Sequence, residues 1–432
     1  MSSGAQAKPL RVMIVTDQYA PMVGGVPTVT KELARGLAVR GHDVAVIAPS
    51  ETRRGGHVVD GPGAGIAVDY RGAVAWPWYE GQRLGMLSPA RAGELISAFE
   101  PDVVHVHSPL TLGVAARSAA RRRRVPVVYT NHYLPLNVWP ASLRAPEGSA
   151  GTGSRVRDAA FYAFVGGFAN RCDLVTAPSV TALRLLRGHG LRAPSQAVSN
   201  GVDLERFTPG PPDEALRSRY GLPPGRPVIL SVGRLSPEKR ADVLIAAVAR
   251  IGGTGSSTGG ERPVLVLAGA GPDEQRLRSL ARHYGAADRV VFTGYVADAD
   301  LPGLYRSADV FAIASQAELQ SLVTMAAMAS GLPVVAVDAG ALAELVHAGE
   351  NGFLARPGSA AEVADCLDLL CRDAALRARM SKASSRIIAG HDRHRLLNRW
   401  ESLYRALAGG QGKRHERDSS TRQQAKVIDG QP

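Results

Sequence analysis

Short runs of Val, Ile, Leu and Ala recur along the chain and alternate with longer segments whose apolar residues have helical spacing. Continuous apolar runs of this kind are typical of parallel strands that are buried on both faces. The first half contains RVMIVTD, DVAVIAP, DVVHVHS, VPVVYTNH and DLVTAPS, and the second half contains RPVILSVGR, RPVLVLAGAG, RVVFTGYV, DVFAIAS and LPVVAVD. The two successive series of strand–helix–strand units predict two doubly wound α/β domains.

The pattern also indicates where helices and domains end. Residues 28–42 lie between the first two predicted strands and have helical spacing, with Gly41 as a stop signal. The segment SNGVDLERFTPGPP interrupts the pattern and predicts a link between domains. The polar, aperiodic C-terminal segment predicts disorder. The expected organisation is a first domain over 1–195, a second over 196–390, a helix over 391–408 and a disordered tail over 409–432.

The composition is that of a globular protein, with 432 residues of which 45% are hydrophobic and 21% are charged. No apolar run approaches the roughly 18–20 residues of a spanning helix, and VMIV is too short for a signal peptide. Cys172, Cys366 and Cys371 lack metal-ligand spacing and fit a reduced compartment. A cytoplasmic protein is therefore expected.

The net charge of +12 is concentrated in the first half. Residues 1–195 hold 22 basic and 13 acidic residues, a net charge of +9. A basic domain suggests an anionic partner, namely lipid headgroups, a phosphorylated acceptor or nucleic acid. Nucleic acid is disfavoured because aromatic residues make up only 5% of the chain and do not interleave with the basic ones.

In the second predicted domain, the candidate chemistry lies where strands end, because open α/β sheets bind ligands at the carboxyl ends of their strands. Arg234 ends VILSVGR, and Lys239 follows five residues later, a suitable pair for a diphosphate. Gly271, in the glycine turn GAGP, allows a close backbone approach. This turn is not the full dinucleotide fingerprint.

Glu318 precedes a run of small and apolar residues that predicts a helix beginning just after it. The backbone N–H groups around Ser321, Leu322 and Val323 would then face a phosphate. A carboxylate repels phosphate, so Glu318 indicates contact with a sugar hydroxyl or a developing cation. The alternative is an ordinary acid in the first turn of a helix.

In the first predicted domain, Gly24 and Gly25 permit a tight loop after the first strand, and His132 ends the strand VVYTNH. Lone histidines are more often structural than functional, so His132 is a candidate with an open alternative. His105 and His107 are expected on opposite faces of their strand, where they could not share a metal ion.

The segment Asp298-Ala299-Asp300 imitates a metal-binding Asp-x-Asp motif. It precedes a predicted helix, so we interpret it as helix capping. No metal site is predicted.

In this order, the motifs resemble those of the retaining glycosyltransferases of family 4, which have the GT-B fold of two Rossmann-like domains facing a cleft. The resemblance covers about residues 10–408 and rests on GGV, TNH, SNGVD, GRLSPEKR, GAGP, FTGYV and the segment ELQSLV…MASGLPVVA. It implies that the second domain binds a nucleoside-diphosphate sugar, with no cofactor and no metal. It also implies that the C-terminal helix crosses back to the first domain.

The resemblance assigns roles to individual residues. Arg234 and Lys239 match the diphosphate pair, Glu318 matches the first acid of a Glu-x7-Glu element over the donor sugar, and His132 matches a histidine near the reacting carbon. The other implied donor-binding residues are Gly24, Gly25, Gly271, Ser321, Leu322 and Val323.

Ala326 departs from this pattern, because it stands where the family has its second acid, which usually holds the ribose hydroxyls. Losing a charged hydrogen bond costs about 1.5–3 kcal/mol, so weaker donor binding is expected. Ser321, where the family commonly has glycine, is a milder change. A working but atypical transferase is predicted, and a degenerate, non-catalytic protein is the alternative.

The predicted reaction moves a sugar to an acceptor hydroxyl with retention. We favour a UDP-sugar over GDP-mannose, although the base is not readable from FTGYV. The acceptor is expected to be a lipid, a lipid-linked molecule or a soluble small molecule such as a natural product. The basic domain and the aromatic segments 76–87 and 161–171 suggest peripheral membrane contact, with core packing as the alternative reading. An epimerase of the same fold would need more acids and histidines at the site.

Overall fold

The computed structural model describes residues 8–51, 56–60, 66–76, 83–138, 152–252 and 262–428. The chain forms two compact units. Unit 1 comprises Met1–Pro178, Leu183–Val198 and Leu396–Pro432, and unit 2 comprises Ser179–Ala182 and Ser199–Arg395. The main division at Val198 lies within a few residues of the predicted boundary.

Unit 1 is built on an eight-stranded sheet with the order β10-β9-β8-β7-β1-β2-β4-β3, beside a hairpin of β5 and β6. The strands are β1 (Arg11–Val15), β2 (Asp43–Pro49), β3 (Gly56–Asp60), β4 (Ile66–Arg71), β5 (Ala73–Ala75), β6 (Arg83–Gly85), β7 (Val103–Val106), β8 (Val127–Thr130), β9 (Leu174–Ala177) and β10 (Ser195–Ala197). The helices are α1 (Gly25–Val39), α2 (Pro89–Phe99), α3 (Thr111–Arg122), α4 (Pro135–Val138), α5 (Thr152–Ala169), α6 (Val180–Gly188) and, at the C-terminus, α14 (Arg393–Ile428).

Unit 2 has a six-stranded parallel sheet with the order β13-β12-β11-β14-β15-β16. Its strands are β11 (Val228–Val232), β12 (Val264–Ala268), β13 (Val290–Gly294), β14 (Val310–Ile313), β15 (Val334–Val337) and β16 (Gly352–Ala355). Its helices are α7 (Glu214–Arg219), α8 (Ala241–Arg250), α9 (Glu274–His283), α10 (Leu301–Arg306), α11 (Leu322–Ala329), α12 (Ala360–Arg372) and α13 (Ala374–Ile388). Short 3₁₀ turns cover Pro237–Lys239, Ala287–Arg289, Leu342–Glu344 and Ala389–His391.

The ten predicted strands are all present, and the prediction of doubly wound α/β domains is confirmed. The prediction missed the edge strands β3, β10 and β16, the strand β4 next to β3, and the hairpin β5–β6. These strands are short or mix polar with apolar residues, so their sequences carry a weak signal. Strand β3 is also antiparallel to β4, unlike the rest of its sheet.

The C-terminal helix α14 supplies part of the core of unit 1. Leu397, Trp400 and Tyr404 are buried against residues of β1, β2 and α1. A Cβ at Gly36 of α1 would lie 2.6 Å from Leu397 Cδ1, so this glycine makes room for the helix.

Helix α14 differs from the predicted helix in its length. It continues to Ile428, whereas the sequence predicts a disordered tail from residue 409. The helix-forming Arg, Lys, Glu and Gln residues of this segment are compatible with helical backbone. Of the helices in the described part of the chain, none is long and apolar enough to cross a membrane.

Candidate active site

Two loops of unit 2 pack backbone against backbone at the carboxyl ends of the neighbouring strands β11 and β12. The Leu235 N–H donates to the Ala270 carbonyl at 3.1 Å. A Cβ at Gly271 would lie 2.2 Å from the Leu235 carbonyl oxygen, so only glycine fits there. The loop conformation therefore explains Gly271 by itself. Arg234 is exposed at the same strand end.

Lys239 and Glu318 form an ion pair. The Lys239 ammonium donates to Glu318 Oε1 at 2.7 Å. Lys239 ends the 3₁₀ turn after β11, whereas Glu318 follows the adjacent strand β14. Glu318 is only 7% exposed. The fold thus brings together two residues that the sequence placed at separate strand ends.

The backbone of Glu318 is fixed from two sides. Its carbonyl accepts from the Ala341 N–H at 2.9 Å. Gly340 packs so closely on Glu318 that a Cβ would lie 2.5 Å from the same oxygen. Two residues on, the Gln320 side chain accepts from the Asn200 N–H at 2.7 Å and so ties this loop to the SNGVD segment.

Helix α11 begins at Leu322 and not just after Glu318 as predicted. Ser321 is its N-cap, and the Ser321 hydroxyl accepts from the Thr324 N–H at 3.3 Å. Glu318 therefore stands outside the helix, and the reading of it as an ordinary first-turn acid is wrong. The N–H groups of Leu322 and Val323 belong to the first turn, where the helix supplies no acceptors.

Ala326 lies in the second turn of α11 and is 6% exposed. Its methyl group belongs to the apolar core of unit 2. The structure therefore accounts for a small apolar residue at this position.

In unit 1, Gly24 and Gly25 form the start of α1, which begins three residues earlier than predicted. Pro27 is tolerated there because the first N–H groups of a helix have no intrahelical partner. Gly24 has an extended φ of 162°, and a Cβ would meet nothing closer than Pro27 Cδ at 3.6 Å. The described fold does not require glycine at position 24.

His132 lies two residues beyond β8 and contacts a second histidine. Its Nε2 is 2.9 Å from Nδ1 of His107, and the two rings stack with centroids 5.2 Å apart. The prediction that His105 and His107 face opposite sides is wrong. Side chains two residues apart share a face of a strand, and the two ring centroids are 4.0 Å apart.

His105 is held by hydroxyl groups on both sides. Its Nδ1 is 2.7 Å from the Tyr404 hydroxyl, and its Nε2 is 2.7 Å from the Thr130 hydroxyl. Burial lowers the pKa of His132 to about 4 and the pKa of His105 and His107 well below the ordinary value. The three rings are therefore neutral at neutral pH.

Sequence reasoning missed Asp17, which is fully buried two residues beyond β1. Burial raises the pKa of Asp17 to about 7. Its Oδ1 accepts from the Gly85 N–H at 3.3 Å and from the Thr111 hydroxyl at 3.5 Å. The signal was available, because Asp17 is a charged residue at the carboxyl end of a predicted buried strand.

The capping role predicted for Asp298 and Asp300 is not what the structure has. Asp300 precedes α10 without a side-chain cap, and its Oδ2 accepts from Arg219 at 2.9 Å and from the Tyr220 hydroxyl at 2.8 Å. Asp298 pairs with Arg206. Within the described ranges, no three His, Cys, Asp or Glu residues are grouped to hold a metal ion.

Comparisons with known proteins agree with this architecture. Residues 23–206 match the model of Glycosyltransferase Family 4, and residues 212–386 match that of Glycosyl transferases group 1. The chain is similar to sucrose-phosphate synthase from Thermosynechococcus elongatus, with a TM-score of 0.75, 21% identity and coverage of 93% of this chain and 100% of that one. This likeness shows the fold.

Curated relatives carry names that specify their substrates. A GDP-mannose-dependent alpha-mannosyltransferase of Mycolicibacterium smegmatis is 34% identical over 70% of this chain and 72% of the relative. A D-inositol 3-phosphate glycosyltransferase of Acidothermus cellulolyticus is 31% identical over 94% and 91%. A GDP-mannose-dependent alpha-(1-6)-phosphatidylinositol monomannoside mannosyltransferase of Mycobacterium tuberculosis is 29% identical over 70% and 72%.

The two Rossmann-like units and these likenesses define a glycosyltransferase that uses a nucleotide sugar as its donor. The chain belongs to glycosyltransferase family 4 and has the GT-B fold.

Proposed function

We propose that this enzyme transfers a sugar from a nucleoside diphosphate to an acceptor hydroxyl with retention, and that unit 2 binds the donor. The observation that carries the proposal is the Lys239–Glu318 pair, a cation and a carboxylate 2.7 Å apart beside the start of α11. A diphosphate and a sugar hydroxyl are suitable partners for these two charges.

Fixed positive groups neutralise the departing diphosphate. Arg234, Lys239 and the first N–H groups of α11 supply this charge, so no metal ion is required. The bond between the anomeric carbon and the diphosphate oxygen breaks, and a bond to the acceptor oxygen forms on the same face. The acceptor proton passes to the departing phosphate oxygen.

Glu318 and His132 orient the donor sugar. In the free protein the Glu318 carboxylate is bound to Lys239. An arriving diphosphate competes for the same ammonium and frees the carboxylate for a sugar hydroxyl. Gly24, for which the described fold gives no structural reason, leaves room for close approach of a ligand.

We propose GDP-mannose as the donor. The sequence alone favoured a UDP-sugar, but two of the relatives described above are named as GDP-mannose-dependent. The test is a thermal-shift titration with GDP, UDP and ADP, followed by transfer assays with the matching sugars. A saturable shift with GDP supports the proposal, and a shift with UDP alone overturns the choice of base.

The diphosphate clamp is tested with Lys239→Ala. We expect the affinity for GDP to fall at least tenfold and transfer to be lost, with the fold intact but a lower melting temperature in the absence of ligand, because the buried Glu318 carboxylate loses its partner. Lys382→Ala removes an exposed lysine from α13 of the same unit and serves as the control. Unchanged turnover in Lys239→Ala would refute the clamp.

A non-catalytic protein remains the second candidate, because Ala326 stands where the family has its second acid. Weak, millimolar nucleotide binding that is tightened by Ala326→Glu would support an active enzyme with a weakened ribose contact. No thermal shift with any nucleotide, in the wild type or in this variant, would favour a degenerate protein.

We propose a lipid or lipid-linked acceptor and peripheral membrane contact through unit 1. Helix α5 is apolar on two sides. Phe161, Tyr162, Val165 and Phe168 are buried, while Val156 and Phe164 are 62% and 50% exposed. With 3.6 residues per turn, Val156, Ala160 and Phe164 share the exposed face. The aromatic segment 161–171 thus contributes to both the core and the surface. In the other aromatic segment, 76–87, residues 77–82 lie outside the described residues.

Basic residues lie near both ends of this helix. Arg155 and Arg157 lie at the start of α5, and Arg171 follows its end. Arg121 of α3 donates to the Arg171 carbonyl at 3.3 Å, which brings the Arg121–Arg124 run next to the helix. An exposed apolar helix face with arginines near both ends of the helix is suited to an anionic bilayer surface.

Vesicle flotation tests the membrane contact. Wild-type protein should float with anionic vesicles and not with zwitterionic ones, and Phe164→Glu should reduce flotation severalfold. Leu369→Glu is the control, because Leu369 is 47% exposed on α12 of unit 2. Equal flotation of the two variants would contradict contact through α5. Absence of flotation in the wild type would favour a soluble acceptor.

A further inference from the structure

The His107–His132 contact constrains the protonation of both rings. Neutral imidazole carries one proton, on either Nδ1 or Nε2. His107 Nδ1 and His132 Nε2 are 2.9 Å apart, so one nitrogen donates and the other accepts. The low pKa of both residues, caused mainly by burial, keeps them neutral at neutral pH. Only two pairs of tautomers are therefore compatible with the contact.

The second nitrogen of His107 decides between these pairs. His107 Nε2 is buried and has no hydrogen-bond partner among the described residues. If His132 donated, this nitrogen would carry an unsatisfied proton. Buried N–H groups without an acceptor are rarer in proteins than acceptors without a donor. The favoured arrangement has the His107 Nδ1–H donating to His132 Nε2.

The fold holds His107 in place for this contact. Its backbone N–H donates to the Val15 carbonyl at 2.8 Å, and its ring lies between those of His105 and His132. His105 is in turn fixed by Tyr404 and Thr130. The His107 ring therefore cannot turn without disturbing a buried network.

We infer that His107 is a positioning residue that fixes His132 as the Nδ1–H tautomer, so that His132 presents a neutral hydrogen-bond donor to an oxygen of the donor sugar. The part that concerns the sugar rests on the proposed function. The part that concerns the tautomer rests only on unit 1. A neutral donor at this place aids a reaction that places positive charge on the sugar, because it adds no opposing charge.

The first experiment reads the tautomer directly. Nitrogen NMR of the protein labelled at histidine distinguishes Nδ1–H from Nε2–H rings at neutral pH, with His132 assigned by its loss in His132→Gln. We expect a single Nδ1–H form of His132 in the wild type and a mixture in His107→Ala. An Nε2–H form in the wild type, or no change in His107→Ala, would overturn the inference.

The second experiment replaces His107 with Asn or Gln, whose amide nitrogens lie at different distances from the backbone. The amide nitrogen of His107→Asn occupies the place of Nδ1 and can still donate to His132, whereas that of His107→Gln lies near the place of Nε2. We expect kcat to fall about tenfold in His107→Gln and His107→Ala, with the donor KM within about twofold of wild type. His107→Asn should restore most of kcat. Equal kcat in wild type, His107→Gln and His107→Ala would refute a positioning role.

His105→Gln is the matched control, because His105 lies two residues before His107 and is equally buried but makes no hydrogen bond to His132. Its melting temperature should fall while the His132 tautomer stays unchanged. A changed tautomer in this variant would mean that the whole cluster, and not His107, positions His132. If the predicted tautomer is observed but no nucleotide sugar is turned over, the proposed function fails and the assignment of the tautomer stands.

Discussion

At the scale of the residue, the proposed function requires Lys239 and Glu318 to exchange each other for parts of the donor. In the free protein they bind one another at 2.7 Å. With donor present, the proposed partners are a diphosphate oxygen and a sugar hydroxyl. On this proposal the ion pair would lower donor affinity by the free energy needed to separate it, while in the free protein it keeps a buried carboxylate paired.

Glu318→Gln should change GDP binding and sugar transfer in opposite directions. Removing the carboxylate charge removes the ion pair that the diphosphate must displace, so GDP should bind about fivefold more tightly, the equivalent of about 1 kcal/mol for a partly exposed pair. Transfer should nevertheless fall at least tenfold, because the sugar loses its charged partner. Calorimetric titration and a turnover assay measure the two effects.

Glu238→Gln is the control for that variant. Glu238 is adjacent to Lys239 in sequence, but its carboxylate accepts from the Ser236 hydroxyl at 2.6 Å. Weaker GDP binding in Glu318→Gln than in Glu238→Gln would contradict the competition between carboxylate and diphosphate.

Asp17 makes stability depend on pH. Its pKa is about 7 in the folded protein and about 3.8 when unfolded. Between these values the folded state binds more protons, so this residue contributes stability that is present below pH 4 and is lost as pH rises to about 7. Asp17→Asn should not show this loss of stability. The free energy of unfolding of the variant minus that of wild type should therefore rise by a few kcal/mol from pH 4 to pH 8.

Urea unfolding at several pH values measures this difference. The buried histidines act in the opposite direction, because their lowered pKa favours the folded state above about pH 6.5. They are present in both proteins and cancel in the comparison. A pH-independent difference between Asp17→Asn and wild type would show that Asp17 is ionised in the folded protein.

At the scale of the element, α11 depends on its N-cap. It has only eight residues, and Ser321 satisfies the Thr324 N–H. Ser321→Ala should cost about 1 kcal/mol of unfolding free energy. It should also weaken GDP binding, because a frayed first turn no longer directs the N–H groups of Leu322 and Val323 to a phosphate.

Ser359→Ala provides the matched control. Ser359 caps α12 in the same way, through the Glu362 N–H at 3.4 Å. It should cost a similar amount of stability without changing GDP affinity. Equal affinity losses in the two variants would indicate a general loss of folded protein and not a role for α11 in donor binding.

At the scale of the whole molecule, the last described helix completes the core of the first unit. Trp400 is buried against unit 1, although nearly 300 residues separate it from the strand that carries His105. Trp400→Ala should therefore lower the free energy of unfolding of unit 1 by about 3–5 kcal/mol. The unit 2 transition should stay unchanged.

Scanning calorimetry with and without GDP measures this, because bound nucleotide should raise only the unit 2 transition. A chain ending at Gly410 retains Leu397, Trp400 and Tyr404 and is the control; it should melt like wild type. Equal destabilisation of both transitions by Trp400→Ala would contradict the assignment of α14 to unit 1.

Much of the fold follows from local sequence. The ten long apolar runs became strands because each is apolar enough to be buried on both faces. The start of α11 and the start of α1 were each misplaced by a few residues, since N-caps depend on contacts such as Ser321 to Thr324 that spacing does not reveal. The edge strands and the helical backbone beyond residue 408 were missed for a different reason: their hydrophobic patterns are weak or polar.

The candidate site also has features that the sequence predicts and features that only the tertiary structure shows. The sequence by itself determined the fold class, the family motifs and the placing of Arg234, Glu318 and His132 after buried strands, because parallel strands direct their carboxyl ends to one edge. Only the tertiary structure decided that Lys239 binds Glu318, that His107 contacts His132 and that Asp17 is buried without a charged partner among the described residues. The two contacts join residues that are 25 and 79 positions apart in sequence, and whether they form depends on how neighbouring strands and loops pack.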